Sequence, residues 1–216
     1  GGGIGKTSNA VQILQSAAKH KKRLVLRLRR ETGNTANNTP PGGGVFWRTD
    51  MSFGVILHEP EQPGNTGAIG RTCICTGSSL HLIRPLGFLT DEKSVKRAGL
   101  DYWPRLGVRE YENMEEFLRQ HPDARIWYLT TKAKKAIDEG EYRDGDFLMF
   151  GKESGGIPEE ILVEHPGRCV RIPMAEGERS LNLSNAVAVA LYEALRHTGY
   201  AGLEKQGELH RMEWPI

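Results

Sequence analysis

A chain of 216 residues and 24.1 kDa has room for one compact domain plus a tail. Its three Cys cannot form a complete disulfide framework, and its longest apolar run, Ala186–Tyr192, is far too short to span a bilayer. The net charge of +2 conceals a split: residues 1–50 carry nine Lys/Arg against Glu31 and Asp50, whereas the rest carries 20 basic and 25 acidic side chains.

Residues 1–50 read as a basic, disordered N-terminal extension with a polar Gly/Pro/Asn-rich linker from Gly33 to Gly44. Before the linker, Val11 to Leu28 could form a short basic helix, and an acid-poor, Arg-bearing leader also fits a transit peptide. A first residue that is Gly rather than Met fits a fragment or a processed product. Gly5-Lys6-Thr7 imitates the end of a phosphate-binding loop, but the Gly that should open the motif would fall before residue 1.

From Ser52 the pattern changes to short apolar runs separated by helical stretches. Strands are predicted at Phe53–Leu57, Leu80–Ile83, Arg125–Thr131, Asp146–Gly151 and Arg168–Ile172. Helices are predicted at Ala68–Thr76, Ser94–Ala98, Met114–Gln120 (stopped by Pro122) and Asn182–His197 (capped by Asn182, stopped by Gly199). The last helix is apolar on nearly every face, so burial by more than one neighbour is expected. This alternation predicts an α/β domain over 52–200 with a mostly parallel sheet and flanking helices, followed by a C-terminal tail, 201–216. Ligands in such sheets bind at the carboxyl ends of strands.

Three loops at such ends carry chemistry. In the first, Glu59 to Arg71, Asn65 can cap the following helix and Arg71 lies about one turn further on, facing the loop. The second, Phe150-Gly151-Lys152-Glu153-Ser154-Gly155-Gly156-Ile157-Pro158, is Gly-rich but has neither dinucleotide nor Walker spacing. The third runs from Ile172-Pro173-Met174 to Ser180-Leu181-Asn182-Leu183-Ser184-Asn185. It holds more Ser and Asn than one cap requires, which suits a polar ligand or a tightly wound loop. Cys73 and Cys75 form C-x-C without a second ligand pair near Cys169, so all read as buried thiols and no metal site is expected.

Taken in order and at this spacing, the three loops resemble the three-motif signature of the SPOUT superfamily of RNA methyltransferases, SpoU/TrmH class. The likeness extends from about Val55 to Tyr200 and includes Leu57-His58-Glu59-Pro60-Glu61 and Lys96-Arg97-Ala98-Gly99-Leu100-Asp101-Tyr102. It implies a C-terminal deep trefoil knot, S-adenosylmethionine as cofactor with S-adenosylhomocysteine as product, no metal, and a homodimer whose site is completed across the interface. It also implies 2′-O-methylation of the wobble ribose, cytidine or uridine 34, in the tRNA anticodon stem-loop. The alternatives are another tRNA or rRNA ribose, a non-catalytic knotted RNA-binding module, or an ATPase built on the N-terminal Gly-Lys-Thr. By the resemblance, Leu129, Gly151, Ile172, Ser180 and Leu181 bind the cofactor. Arg71, Asn65, Glu153 and Asn185 serve catalysis, with Glu153 orienting Arg71 and the two Asn orienting substrate. An Arg base conflicts with the permanent protonation of guanidinium, so Arg71 is expected to grip a phosphate or stabilise an alkoxide. Five cations within Lys93–Arg109 form the expected RNA patch, centred on Lys96, Arg97 and Arg105. The expected compartment is the cytoplasm, or an organelle if residues 1–50 are a transit peptide.

Overall fold

The computed structural model describes residues 53–90 and 102–215. The predicted arm at 1–50, the helix at 94–98, and Lys96 and Arg97 lie outside the described residues.

Strands β1 (Gly54–His58), β2 (Ser79–Ile83), β3 (Arg109–Tyr111), β4 (Ile126–Leu129), β5 (Lys135–Ala136), β6 (Phe147–Phe150) and β7 (Cys169–Arg171) form one sheet. Its order is β3-β2-β1-β6-β4-β7-β5, and every neighbouring pair is parallel. Interior strand β1 is buried along its whole length, because a parallel sheet is covered on both faces. Successive side chains point to opposite faces. Val55, Leu57, Leu82, Leu148 and Phe150 therefore join one apolar cluster, and Ile56, Ile83 and Met149 join another.

The first cluster is closed by α1 (Pro63–Thr76), a short α2 (Trp103–Leu106) and α5 (Leu183–His197), through Ile69, Leu106 and Leu191. The second is closed by α3 (Met114–Gln120) and α4 (Glu159–Glu164), through Phe117 and Leu162. Helix α1 starts at Pro63, five residues before the predicted start: Pro suits the first helical position, where its missing N–H costs nothing. Asn65 is thus inside the first turn and is not the cap. Helix α3 matches its prediction, with Asn113 accepting from the Glu116 N–H as cap. Gly199 closes α5 in a left-handed conformation (φ 68°).

Helix α5 packs against more than one neighbour, α1 and β6 among them, and buries Val187, Ala190, Leu191, Ala194 and Leu195, but leaves Val189 and Tyr192 each 46% exposed. One expectation about burial needs correction. Cys73 is buried, which pushes its thiol up to about 12, and Cys169 is buried too, but Cys75 points to solvent from the outer face of α1. Residues 204–215 form no helix or strand and are exposed apart from Leu203 just before them, which packs on the core.

Candidate functional site

The loops after β1, β4, β6 and β7 meet at the carboxyl edge of the sheet around a cavity of about 440 Å³. All five expected cofactor positions line it: Leu129, Gly151, Ile172, Ser180 and Leu181. Its walls mix apolar side chains (Leu129, Ile157, Ile172, Ala186) with the backbone of 151–156 and 180–182. Asn65 and Glu153 also line it, whereas Arg71 and Asn185 do not.

A chain of hydrogen bonds ties the three loops together. Asn182 donates through Nδ2 to Asn65 Oδ1 (3.0 Å), and Asn65 donates through Nδ2 to Glu153 Oε1 (2.8 Å). The other Glu153 oxygen accepts from the Glu61 N–H at 2.9 Å. Glu61 answers by accepting from the Ser154 N–H (2.9 Å) and the Ser154 hydroxyl (2.7 Å). Ser154 thereby holds the Glu61 carboxyl below the usual carboxylate range. A second strap joins the same loops: Lys152 donates to Glu59 at 2.9 Å, and that carboxylate raises the ammonium pKa. Glu59 itself has a left-handed backbone (φ 52°), an uncommon conformation for a residue with a side chain.

Gly151 is dictated by this packing. A Cβ there would overlap the backbone of Gly156 and Ile157, so only glycine lets the second loop fold back on its own first residue. The turn closes with a bridge between Lys152 and Gly156, and the Gly156 N–H donates to the Lys152 carbonyl at 2.8 Å. Beside the site, His58 ends β1 in a buried position that lowers its pKa, an effect opposed by Glu59 and reinforced by Lys152. Its Nδ1 has no hydrogen-bond partner among the described residues.

Two expected roles change. The carboxylate of Glu153 is engaged by Asn65 and Glu61, so the side chain it orients is Asn65. Arg71 does not face the loop: six residues past Asn65, it is turned about 240° around α1 and about 9 Å along it. There its guanidinium lies 4.2 Å from the centroid of the Tyr102 ring. Asn185 occupies the first turn of α5, where its N–H donates to Asn182 Oδ1 (3.4 Å), and its side chain is exposed. The Asn that reaches Asn65 is Asn182, expected only as a cap; it does both, since its Oδ1 also accepts from the Ser184 N–H at 2.9 Å. Arg105 is exposed on α2. Among the described residues, no group of three or more His, Cys, Asp or Glu is placed to hold a metal ion, and no helix is long and apolar enough to cross a membrane.

A seven-stranded parallel sheet with a Gly-rich loop and a Ser/Asn loop around one carboxyl-edge cavity defines an α/β protein with a single ligand site at its strand ends. Residues 52–192 match the model of the SpoU rRNA Methylase family, and the chain belongs to that family. A tRNA (cytidine(34)-2′-O)-methyltransferase from Escherichia coli is 47% identical over 149 residues, which is 68% of this chain and 95% of the relative. A solved structure concerned with the 2-OH methylation of C/U34 on tRNA is 43% identical, with a TM-score of 0.64 over 69% of this chain and 97% of that one. An AdoMet-bound rRNA methyltransferase from Sinorhizobium meliloti is 28% identical, with a TM-score of 0.60 over 69% of this chain and 57% of that one.

Proposed function

We propose that this chain is an S-adenosylmethionine-dependent tRNA 2′-O-methyltransferase acting on the ribose of nucleotide 34, cytidine or uridine, in the anticodon loop. The observation that carries the reading is the Asn182–Asn65–Glu153–Glu61 chain, which joins all three signature loops at one cavity. The cavity suits the cofactor: apolar walls at Leu129 and Ile172 fit a flat purine, and the backbone of the Gly151 and Ser180 loops offers polar groups at its edge. Leu129, Gly151, Ile172, Ser180 and Leu181 would hold it. When bound, S-adenosylmethionine supplies an electrophilic methyl group.

A ribose hydroxyl is a weak nucleophile, so the protein must align it and stabilise the oxyanion that forms. Asn65 is preorganised for orientation, because Glu153 and Asn182 fix both ends of its amide. Asn185 has a free-standing place in the first turn of α5, suited to contact with RNA. Arg71 acts as an electrostatic stabiliser or phosphate grip, since a guanidinium offers donors and no acceptor.

Because Arg71 faces away from the cavity of its own chain, the reading requires a homodimer in which Arg71 serves the partner's site. The exposed Val189 and Tyr192 on α5, beside α1, support that interface. Insertion of β7 between β4 and β5 supports a trefoil knot at the C-terminal part. Arg105, with Lys96 and Arg97, supplies the RNA-facing charge that the acidic balance of the domain lacks. The reaction belongs in the cytoplasm, or in an organelle if residues 1–50 serve as a transit peptide.

The test is transfer of labelled methyl to an anticodon stem-loop with a pyrimidine at position 34, alongside the same RNA with a 2′-deoxyribose there. Methylation of the first and inertness of the second are expected. Equal labelling of both would place the methyl elsewhere and refute the reading.

A further inference from the structure

Arg71 is long and exposed, and Arg loses more conformational freedom on being fixed than most side chains. Whatever it does on an RNA phosphate or alkoxide depends on its being held beforehand. Tyr102 is built to hold it. Its ring lies beneath the guanidinium, 4.2 Å from the ring centroid to Cζ. Its hydroxyl donates to the carbonyl of Gly67, one helical turn before Arg71. Gly67, Gly70 and Arg71 stand at i, i+3 and i+4, on one face of α1. Gly70 completes the seat: a Cβ there would come within 3.3 Å of Tyr102 Cε2 and 2.9 Å of Leu106 Cδ2. The backbone of Tyr102 is anchored as well, since its carbonyl accepts from the N–H groups of Arg105 (2.9 Å) and Leu106 (3.2 Å) at the start of α2. The ring is 2% exposed and fixed at both ends, so it is a rigid platform.

We propose that Tyr102 is a positioning residue for methyl transfer: the negative face of its ring holds the Arg71 guanidinium in the orientation used on the RNA. This rests on the reading of Arg71 given above. Packing alone would make Tyr102 equally buried, so shape and charge must be separated. Fluorination does that, because it empties the ring face of negative potential while barely altering its size.

The full-length protein is prepared as Tyr102→Phe, as the same variant carrying trifluorinated phenylalanine, and as Tyr102→Leu. Each is also made in an Arg71→Ala background. Single-turnover methylation of the anticodon stem-loop, S-adenosylhomocysteine affinity and the NMR shifts of the Arg71 side chain are measured. Tyr102→Phe should stay within about 3-fold of wild type, and trifluorination should then cost roughly 5- to 10-fold more in the single-turnover rate, the range expected for a partly desolvated cation–π contact. Cofactor affinity should hold throughout. The upfield ring-current shift of Arg71 should vanish in Tyr102→Leu. With Arg71→Ala, fluorination should cost nothing further.

A flat fluorination series with Arg71→Ala inactive overturns the role of Tyr102 alone. Full activity of Arg71→Ala overturns both readings. A fluorination cost that persists in the Arg71→Ala background shows that Tyr102 acts through packing and overturns the proposal. Should Tyr102→Leu not fold, the isosteric fluorinated series still decides.

Discussion

The second loop closes on itself through Gly151, and replacing that residue by Ala should open it. A Cβ at Gly151 would fall closer than 3 Å to the carbonyl carbon and oxygen of Gly156 and to the amide nitrogen of Ile157. These are backbone atoms, so no side-chain rotation relieves the overlap. The whole turn must shift by roughly 1 Å, a misfit of the kind that costs about 1–3 kcal/mol. Borne mainly by the cofactor complex, that cost corresponds to a loss of about 5- to 150-fold in S-adenosylhomocysteine affinity. The overlap is with the loop's own backbone, so the single methyl group of Ala already suffices. Gly155→Ala is the internal control. Its Cβ would meet only side-chain atoms of Lys152, Cε at 3.3 Å and Cγ at 3.8 Å, and no backbone. Titration calorimetry on both variants, with thermal melting to confirm folding, reads the result. Unaltered affinity in Gly151→Ala, or equal losses in the two, would refute the reasoning.

Arg71→Ala should reduce methyl transfer by about 10²–10³-fold, the usual cost of one lost charge stabiliser, with cofactor affinity intact because Arg71 does not line the cavity; single-turnover rates and calorimetry check both halves. Sedimentation should show a homodimer, and a species only near 24.1 kDa would contradict the two-chain site. Stability should fall as pH drops through the window from 6.5 to about 3. Burial, reinforced by His121 and Arg109, drives the His81 imidazole from 6.5 down to about 3. Across that window the unfolded chain takes up a proton that the folded chain refuses, and above 6.5 no stability is lost. Melting temperatures between pH 7.5 and 5 should decline less steeply in His81→Gln; an unchanged slope would exonerate this residue.

Legibility in the sequence followed burial. The five apolar strands and α5 could be read because both faces of the sheet are covered, which leaves continuous hydrophobic runs at Val55–Leu57 and Leu148–Phe150. Strands β3 and β5 could not. They are the two edges, and Arg109, Glu110 and Lys135 meet solvent there instead of a second neighbour. The five expected cofactor positions came from the family resemblance, and their meeting around one cavity agrees with the rule that parallel sheets hold ligands at the carboxyl ends of their strands. Arg71 was misplaced because a Pro that reads as a turn begins the helix, and the shifted start rotates every later residue. Partners across 88 and 117 residues, such as Asn65 with Glu153 and with Asn182, had no local signal. One pattern was available: acids at 59 and 61 in the first loop match donors at 152 and 154 in the second, the pairing that the fold makes.

The run of amides between the loops has a direction. At one end Asn182 Oδ1 collects N–H groups from the start of α5, where the helix dipole is positive; at the other, two donors converge on the two oxygens of Glu153. Only an acceptor with two oxygens can terminate such an array. Glutamine, identical in shape, would present its NH₂ to either Asn65 or the Glu61 N–H, donor against donor. To escape, Asn65 would have to turn its amide over, and that would set its NH₂ against the NH₂ of Asn182. A single atom exchanged at position 153 would therefore be felt at the first turn of α5, two hydrogen bonds away.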